Sequence, residues 1–345
     1  MPAATAPGLF ADLIGQVQAT ELLMASLQQG RVAPAYLLSG PHGVGRRLAA
    51  LRFLEGVIAG PAGDAGIRRR LAAGNHPDLL WVEPTYQHQG RLVPVSMAQA
   101  EGVNRRTPPQ LRLEQIREVS RFLARRPVEA PGCLVVIEAA EAMAEAAANA
   151  LLKTLEEPGD GVLLLICSAP EQLLPTIRSR CQCVRFGRLE SAALEQVLAR
   201  AGATAGATAG DAASADPPEL LELAAGSPGA LLEHRQQWQQ LPEQLTAALQ
   251  QLATGRAALA ASSPLELLAL ASTVAAELEG EQQLWLLQWW QLLLWRHCGN
   301  QAMLDRLNRL RGHLLAYVQP RLAWEVALLD LAQLALADSE RSRAS

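Results

Sequence analysis

Lysine is almost missing from this sequence of 345 residues: of its 30 basic residues, 29 are arginine and one, Lys153, is lysine. An arginine where a known pattern has lysine is therefore weak evidence of lost chemistry, while the lone lysine is the basic residue least attributable to background. Cysteine is scarce as well. The five, Cys133, Cys167, Cys181, Cys183 and Cys298, form no C-x-x-C pair and three lie in apolar or β-like surroundings, a usage that fits a reduced compartment. Excess positive charge is also lacking: the net charge of −4 gives no global pull toward nucleic acid, so any such contact needs a local patch. Long apolar runs are absent, since the richest, LWLLQWWQLLLW from Leu284 to Trp295, is interrupted by Gln288 and Gln291 and is too short to cross a bilayer. The start, MPAATAPGLFADLIGQ, has no basic region followed by an apolar one, so it does not read as a secretory signal. A cytoplasmic protein with no membrane partner is the expectation. Length and a 50% apolar content allow two or three domains with real cores and exclude a disordered or collagen-like chain.

Apolar segments alternate with helical periodicity over roughly residues 1 to 187. AYLLS at 35–39 runs into the turn GPHGVG and then a helical RRLAALRFLEGVI. LRLEQIREVSRFLARRP places Ile116, Val119 and Leu123 on one face and stops at Pro127. CLVVI, Cys133 to Ile137, reads as a buried strand. AEAAANALLKTLEEP is a helix ended by Pro158, GVLLLICSAP another strand, and QLLPTIRSRCQCVRF a short helix feeding a last strand. The pattern predicts a mostly parallel sheet with helices on both faces. Beyond Arg188 strand signals nearly vanish. A helix, LESAALEQVLAR, precedes the low-complexity AGATAGATAGDAASADPP, which reads as a solvated loop. Two short helices then flank a Gly-Ser-Pro-Gly turn, and from about Trp238 a Leu, Ala and Gln-rich helical bundle follows, broken at Pro264, Gly280, Gly299 and Pro320.

Residues 40–47, GPHGVGRR, carry Gly40, Gly43 and Gly45 and match the phosphate-loop pattern G-x-x-x-x-G-K-[ST] except at its last two positions. A working loop uses backbone N–H groups and a helix N-terminus to cradle phosphate, a lysine to reach the β and γ oxygens, and a hydroxyl to hold Mg²⁺. Arg46 can replace lysine in this lysine-poor chain without loss of role. Arg47 cannot replace a hydroxyl, and it brings positive charge to the metal's place. CLVVI should end in an acidic pair that serves Mg²⁺ and activates water. It ends in Glu138, which can lie near a metal, and Ala139, which offers no base. Hydrolysis in cis is not expected, and the turn reads as a connector from strand to helix. His42, alone in that loop, has no partner spacing for a metal site.

NALLKTLEEP at 149–158, followed by EQLLPTIRSRCQCVRF at 171–186, resembles the AAA+ clamp-loader subunits of the bacterial replicase. FADLIGQ at 10–16, NHPDLLWVEP at 75–84 and LRLEQIREV at 111–119 extend the resemblance over the first 187 residues; AAGSPGALL at 224–232 matches more thinly. Within that family the altered loop is similar to the subunit type that does not hydrolyse ATP. The resemblance implies α/β plus all-α architecture in three domains: an ATPase-like parallel-sheet domain at 1–187 with a degenerate nucleotide site, a helical lid at 188–237, and a helical collar domain at 238–345. It implies that Ser179, Arg180 and Cys181 form a motif whose arginine reaches ATP held by a neighbouring subunit, where a guanidinium supplied in trans is worth roughly 10³ to 10⁵ in related systems. No cofactor of its own is then expected, ATP being bound by partner subunits. Residues 54–74 contain no cysteine, so the zinc that many family members hold there is not expected either. ATPase members carry a sensor arginine after the Gly-Ser of the lid, where this chain has Pro228 and Gly229.

Several residues keep two readings. Arg178, Arg185 and Arg188 read as a solvated basic face, and only Arg180 is lifted out of it by its motif. Cys181 and Cys183, alternating along a strand, read as small buried side chains rather than ligands. Glu156 and Glu157 are exposed charges at a helix end or pack against an adjacent subunit. Asn149 and Lys153, four residues apart, share a helix face; Lys153 is left exposed by chance, or it meets a subunit interface or DNA. The tryptophans at 285–295 are core and collar packing, since a stacking platform for nucleic acid wants interleaved Arg or Lys. The expected role is a structural clamp-loader subunit, with gamma/tau and delta subunits as partners, the sliding clamp met weakly or indirectly, and primer-template DNA reached through the complex. The rivals are an ATP-hydrolysing gamma/tau-like motor using Arg46, and a DNA-binding adaptor.

Overall fold

The computed structural model describes residues 8–98, 100–103, 107–157, 159–204, 217–253, 256–316 and 318–344. They form two compact units; the first runs through the helix at 191–204 and takes in Gly226–Gly229, and the second holds the remaining helices. Pro158 and residues 205–216, most of the low-complexity stretch, lie outside the described residues.

The first unit runs α1 (Val17–Gln28), β1 (Ala35–Ser39), α2 (Arg46–Ala59), α3 (Ala65–Ala72), β2 (Leu79–Val82), β3 (Thr85–His88), β4 (Arg91–Pro94), α4 (Leu113–Leu123), β5 (Leu134–Ile137), α5 (Glu145–Glu156), β6 (Val162–Cys167), the one-turn α6 (Pro175–Arg178), β7 (Gln182–Arg185) and α7 (Ser191–Thr204). Five strands make one sheet in the order β2-β5-β6-β1-β7, and each pairing is parallel. Parallel neighbours need crossovers, and helices supply them. β1, β5 and β6 are buried along their whole length, as their unbroken apolar runs require. Alternate residues serve opposite faces: Tyr36, Leu38, Val136 and Leu164 pack with Phe53 and Leu54 of α2, whereas Leu37, Val135, Ile137 and Leu165 pack with Ile116 and Val119 of α4 and Leu151 of α5. The α4 helix ends at Leu123, four residues before Pro127. At the sheet edge only Val184 of β7 is buried, so Cys183 is exposed, contrary to the buried place its spacing suggested; Cys181 is half-buried. An edge strand has only one covered face, and Cys183 points off it.

Two features inside this unit explain sequence motifs. Gln16, which closes FADLIGQ, is buried, and its amide donates to the carbonyls of Val44 (3.2 Å) and Gly187 (2.8 Å) while its carbonyl accepts from Gly187 N–H (3.1 Å). It ties the loop after β1 to the chain leaving β7. Asp78 of the NHPD segment is 2% exposed and accepts from the N–H groups of Val128 (2.7 Å), Glu129 (2.7 Å) and Ala130 (2.8 Å). It thereby satisfies three donors in the turn that leads to β5. The β3–β4 hairpin was not anticipated. Its two-residue turn, Gln89 and Gly90, has positive φ at both positions (46° and 78°), the geometry of a type I′ turn, but glutamine in place of the usual asparagine hid the signal. Tyr86, Val93, Ala98 and Val103 give it a small core.

The second unit is helical: α8 (Pro218–Ala224), α9 (Pro228–Gln239), α10 (Glu243–Ala253), α11 (Arg256–Ala261), α12 (Pro264–Glu277), α13 (Gly280–Cys298), α14 (Gln301–Leu315) and α15 (Pro320–Ala344). Each breaker read from the sequence stands at a helix boundary. Pro264 opens α12 behind Ser263, whose Oγ accepts from Glu266 N–H while Glu266 Oε2 accepts from Ser263 N–H; Gly299 closes α13 at φ 56°. Trp289, Trp290 and Trp324 are fully buried, with Trp290 Nε1 donating to Leu249 O (3.0 Å) and Trp324 Nε1 to the buried Gln283 (3.0 Å). Trp295 is exposed. Among the described residues no helix is long and apolar enough to cross a membrane.

The Asp78 cap makes stability depend on pH. Burial alone raises the carboxyl, but the three backbone donors outweigh it and hold the group below the ordinary carboxylate range. Its stabilisation is complete above the unfolded value of about 3.9 and is lost as pH falls through the lowered native one. Asp78→Asn should cost about 1–3 kcal/mol in urea unfolding at neutral pH. The gap to the parent protein should close as the titration is taken well below about pH 4.

Candidate functional site

β1 delivers the chain to Gly40, whose N–H donates to Cys167 O (3.2 Å) at the end of β6. At φ 151°, a Cβ on Gly40 would stand 2.3 Å from Phe186 O, so glycine is obligatory there. Gly45 (φ 100°) precedes α2 as its N-cap with no side-chain cap, and a Cβ on it would lie 2.7 Å from Leu13 Cδ1. A glycine turn thus leads directly into a 14-residue helix whose N-terminus has no side-chain cap.

The side chains of the loop are turned to other uses. Arg46 is 5% exposed, and its Nη2 donates to Ser168 Oγ (2.9 Å) just past β6. Burial lowers its pKa, opposed by the nearby Glu141, Cys167 and Glu138. Its Nη1 is buried with no hydrogen-bond partner. Arg47 pairs with Glu138: Nη1 stands 3.0 Å from Oε2, and the guanidinium carbon lies 4.5 Å above the ring of Trp81. Trp81 Nε1 donates to the same Glu138 oxygen at 2.9 Å. The carboxylate at the strand end, which in an ATP site serves the metal, is thus held by a guanidinium stacked on an indole. A divalent cation would have to displace that guanidinium and overcome its repulsion, so the residues present do not fit a nucleotide-bound Mg²⁺. Ala139 follows in the left-handed region (φ 48°) and carries no base.

The Gly-Ser-Pro-Gly turn bears on the same loop from within the first unit. Ser227 Oγ donates to His42 O, and Gly229 N–H donates to Gly43 O at 2.9 Å. A Cβ on Gly229 would meet Gly43 Cα at 2.7 Å. There is no room for a side chain beside the loop at Gly229, the position that a sensor arginine takes in the resembling ATPase members. Trp81, Ser168 and Glu141, whose Oε1 accepts from Ser168 N–H (3.0 Å), complete the cluster. Their part in it was not legible in the sequence, because Trp81, Glu141 and Ser168 lie on or after other strands, 34 or more residues from Arg47, and belong to no loop motif.

The second group of expected residues gathers where α5 ends beside α6. Arg180 Nη2 stands 2.8 Å from Glu156 Oε1, and its Nη1 donates to Thr176 O (3.1 Å). Ser179 Oγ also donates to Thr176 O (3.1 Å). Burial pushes the Cys181 thiol up to about 12, with Cys183 adding to the shift, so Cys181 stays a neutral thiol. Asn149, Lys153 and Glu156 are exposed on α5, as is Glu157 just past its end. Lys153 lines a cleft of about 950 Å³ between α4 and α5, together with Glu114, Arg117, Arg121 and Glu157. The loop cluster and the Arg180 cluster share no residue.

Comparison with known proteins follows the same division of the chain. Residues 15–190 match the family model described as DNA polymerase III, delta subunit. Residues 192–331 match the model for the cyanobacterial DNA polymerase III delta prime, C-terminal domain. The DNA polymerase III subunit delta' of Pseudomonas aeruginosa is 36% identical over 203 residues, 57% of this chain and 54% of that protein. The corresponding subunit of Bacillus subtilis is 33% identical over 189 residues, 53% and 51%. The chain spans about half the length of these curated relatives. A gamma subunit-related protein of DNA polymerase III from Thermotoga maritima superposes with a TM-score of 0.50 over 92% of this chain and 99% of its own, at 18% identity, a likeness of fold alone.

The loop pair is testable by a double-mutant cycle. Arg47 is 60% and Glu138 27% exposed, so solvent screens their attraction. Arg47→Ala, Glu138→Gln and the double variant, compared by urea unfolding, should give a coupling of about 0.5–1 kcal/mol, the stacked indole holding it at the upper end of the surface-pair range.

Proposed function

Because the chain belongs to the DNA polymerase III delta-subunit family, in its delta-prime form, we propose that it is a non-hydrolysing structural subunit of the replicative clamp loader. In this role it supports ring assembly and supplies Arg180 in trans to ATP on a neighbouring subunit while the sliding clamp is loaded onto primed DNA. The Arg47–Glu138 pair carries the reading: a guanidinium stands where Mg²⁺ would have to bind, and Ala139 leaves water without a base. Arg180 complements it. Its guanidinium is at the surface, fixed at two nitrogens, with further donors open to an incoming phosphate.

The proposed division is an ATPase-like domain at 1–187, a lid at 188–237 and a collar domain at 238–345, assembled with gamma/tau and delta subunits in the cytoplasm. An apolar line on α15 supports the collar: Leu322, Val326 and Leu336 are exposed at helical spacing on one side, with Leu329 half-buried between them. Contact with primer-template DNA and the sliding clamp is made through the complex.

One observation favours the motor as a second reading. The buried, unpartnered Nη1 of Arg46 leaves a donor that a phosphate oxygen can accept from. Saturable Mg²⁺-ATP binding by the isolated chain at micromolar concentration would favour that reading over the first, which expects none.

In a reconstituted loader, Arg180→Ala should leave assembly intact and lower turnover at the site it serves by about 10³-fold, with a matching loss of clamp loading. Full turnover would remove the trans role. Lys153→Ala should lower either ring assembly or DNA-stimulated turnover by several fold; unchanged values in both would return Lys153 to the solvated surface.

A further inference from the structure

We propose that Glu156 is the positioning residue for the Arg180 guanidinium, an inference that rests on the trans role of Arg180 given above. Two acceptors hold the group from one side: Glu156 Oε1 at 2.8 Å from Nη2, and Thr176 O at 3.1 Å from Nη1. With both terminal nitrogens engaged, the plane of the guanidinium is fixed, and three of its five N–H donors stay free for a phosphate arriving from outside.

The backbones that carry the pair are anchored while the side chains are not covered. Leu155, next to Glu156, belongs to the buried face of α5, and Ile177 of α6 is fully buried. The side chains themselves are 53% and 37% exposed. An ion pair that open to water adds little to folding stability, so stability does not account for the arrangement. Preorganisation does. A free arginine side chain samples many rotamers, and ordering it only when the neighbour's phosphate arrives would weaken its effect on the transferring phosphoryl group. Glu156 orders it beforehand. The opposite charge does not quench it, because a polyphosphate presents several negative oxygens to the donors that remain.

The adjacent carboxylate supplies an internal control. Glu157 is also exposed but makes no ion pair with Arg180 among the described residues. Lys153, one helical turn before Glu156, is a second cation within reach of that carboxylate, yet the pair formed is with Arg180. Helix position therefore separates two neighbouring glutamates into one that orients the arginine and one that does not.

The experiment is steady-state ATP turnover by the complete reconstituted loader carrying Glu156→Ala, Glu156→Gln or Glu157→Gln, each also combined with Arg180→Ala. Glu156→Ala should lower kcat about 10- to 100-fold at unchanged KM for ATP and unchanged assembly. Glu156→Gln, which keeps an acceptor oxygen but no charge, should fall between it and the parent, and Glu157→Gln should match the parent. In the Arg180→Ala background, Glu156→Ala should have no further effect. Parental or raised turnover with Glu156→Ala, or an equal loss in both backgrounds, would overturn the positioning role. Full turnover with Arg180→Ala alone would instead overturn the underlying trans reading, so the two failures are told apart.

Discussion

Burial of β1, β5 and β6 on both faces governs the first unit. Strands covered on two sides must be joined by helices that cross over them, and every crossover leaves from the same end of the sheet. That end therefore collects Gly40 after β1, Glu138 after β5 and Ser168 after β6, although they lie up to 128 residues apart in the chain. Whatever chemistry this unit performs or has set aside is decided at those three strand ends.

What occupies them is a set of arginine contacts. Arg47 neutralises Glu138 and lies against Trp81, and Arg46 reaches inward to Ser168. The Gly-Ser-Pro-Gly turn rests on Gly43 at a distance that admits only glycine. The sterics that require glycine at positions 40 and 45 are imposed by Phe186 and Leu13, which belong to the core of the unit. The backbone form of the loop thus follows from close packing, independently of the side chains that Arg47 and Ala139 place beside it.

Arginine serves several ends in this unit. It forms two-pronged pairs with carboxylates at Arg52–Asp12, Arg68–Glu55 and Arg70–Glu129, as its planar fork favours. The Arg180–Glu156 contact is not of that kind. One prong goes to the carboxylate and the other to a backbone carbonyl, which leaves part of the guanidinium turned outward. In a chain with 29 arginines the residue type carries little information, and the arrangement around each guanidinium carries most of it.

The sequence alone determined the parallel α/β arrangement of the first 187 residues, the helical remainder, the helix boundaries at Pro264, Gly280, Gly299 and Pro320, and the departures from the phosphate-loop and acidic-pair patterns at Arg47 and Ala139. These were legible because period, breaker residues and missing functional groups are local properties of the chain. Only the tertiary structure decided that Arg47 meets Glu138 over Trp81, that Asp78 caps the turn before β5, that Glu156 rather than Glu157 holds Arg180, and that Cys183 faces outward. Each of these depends on which strands become neighbours and which side of a strand or helix is covered. A hairpin of two four-residue strands joined by Gln89 and Gly90 stayed hidden for the opposite reason, a local signal too weak to be seen without its partner strand. Contacts between residues far apart in the chain are fixed by sheet order and packing, and no spacing within the sequence records them.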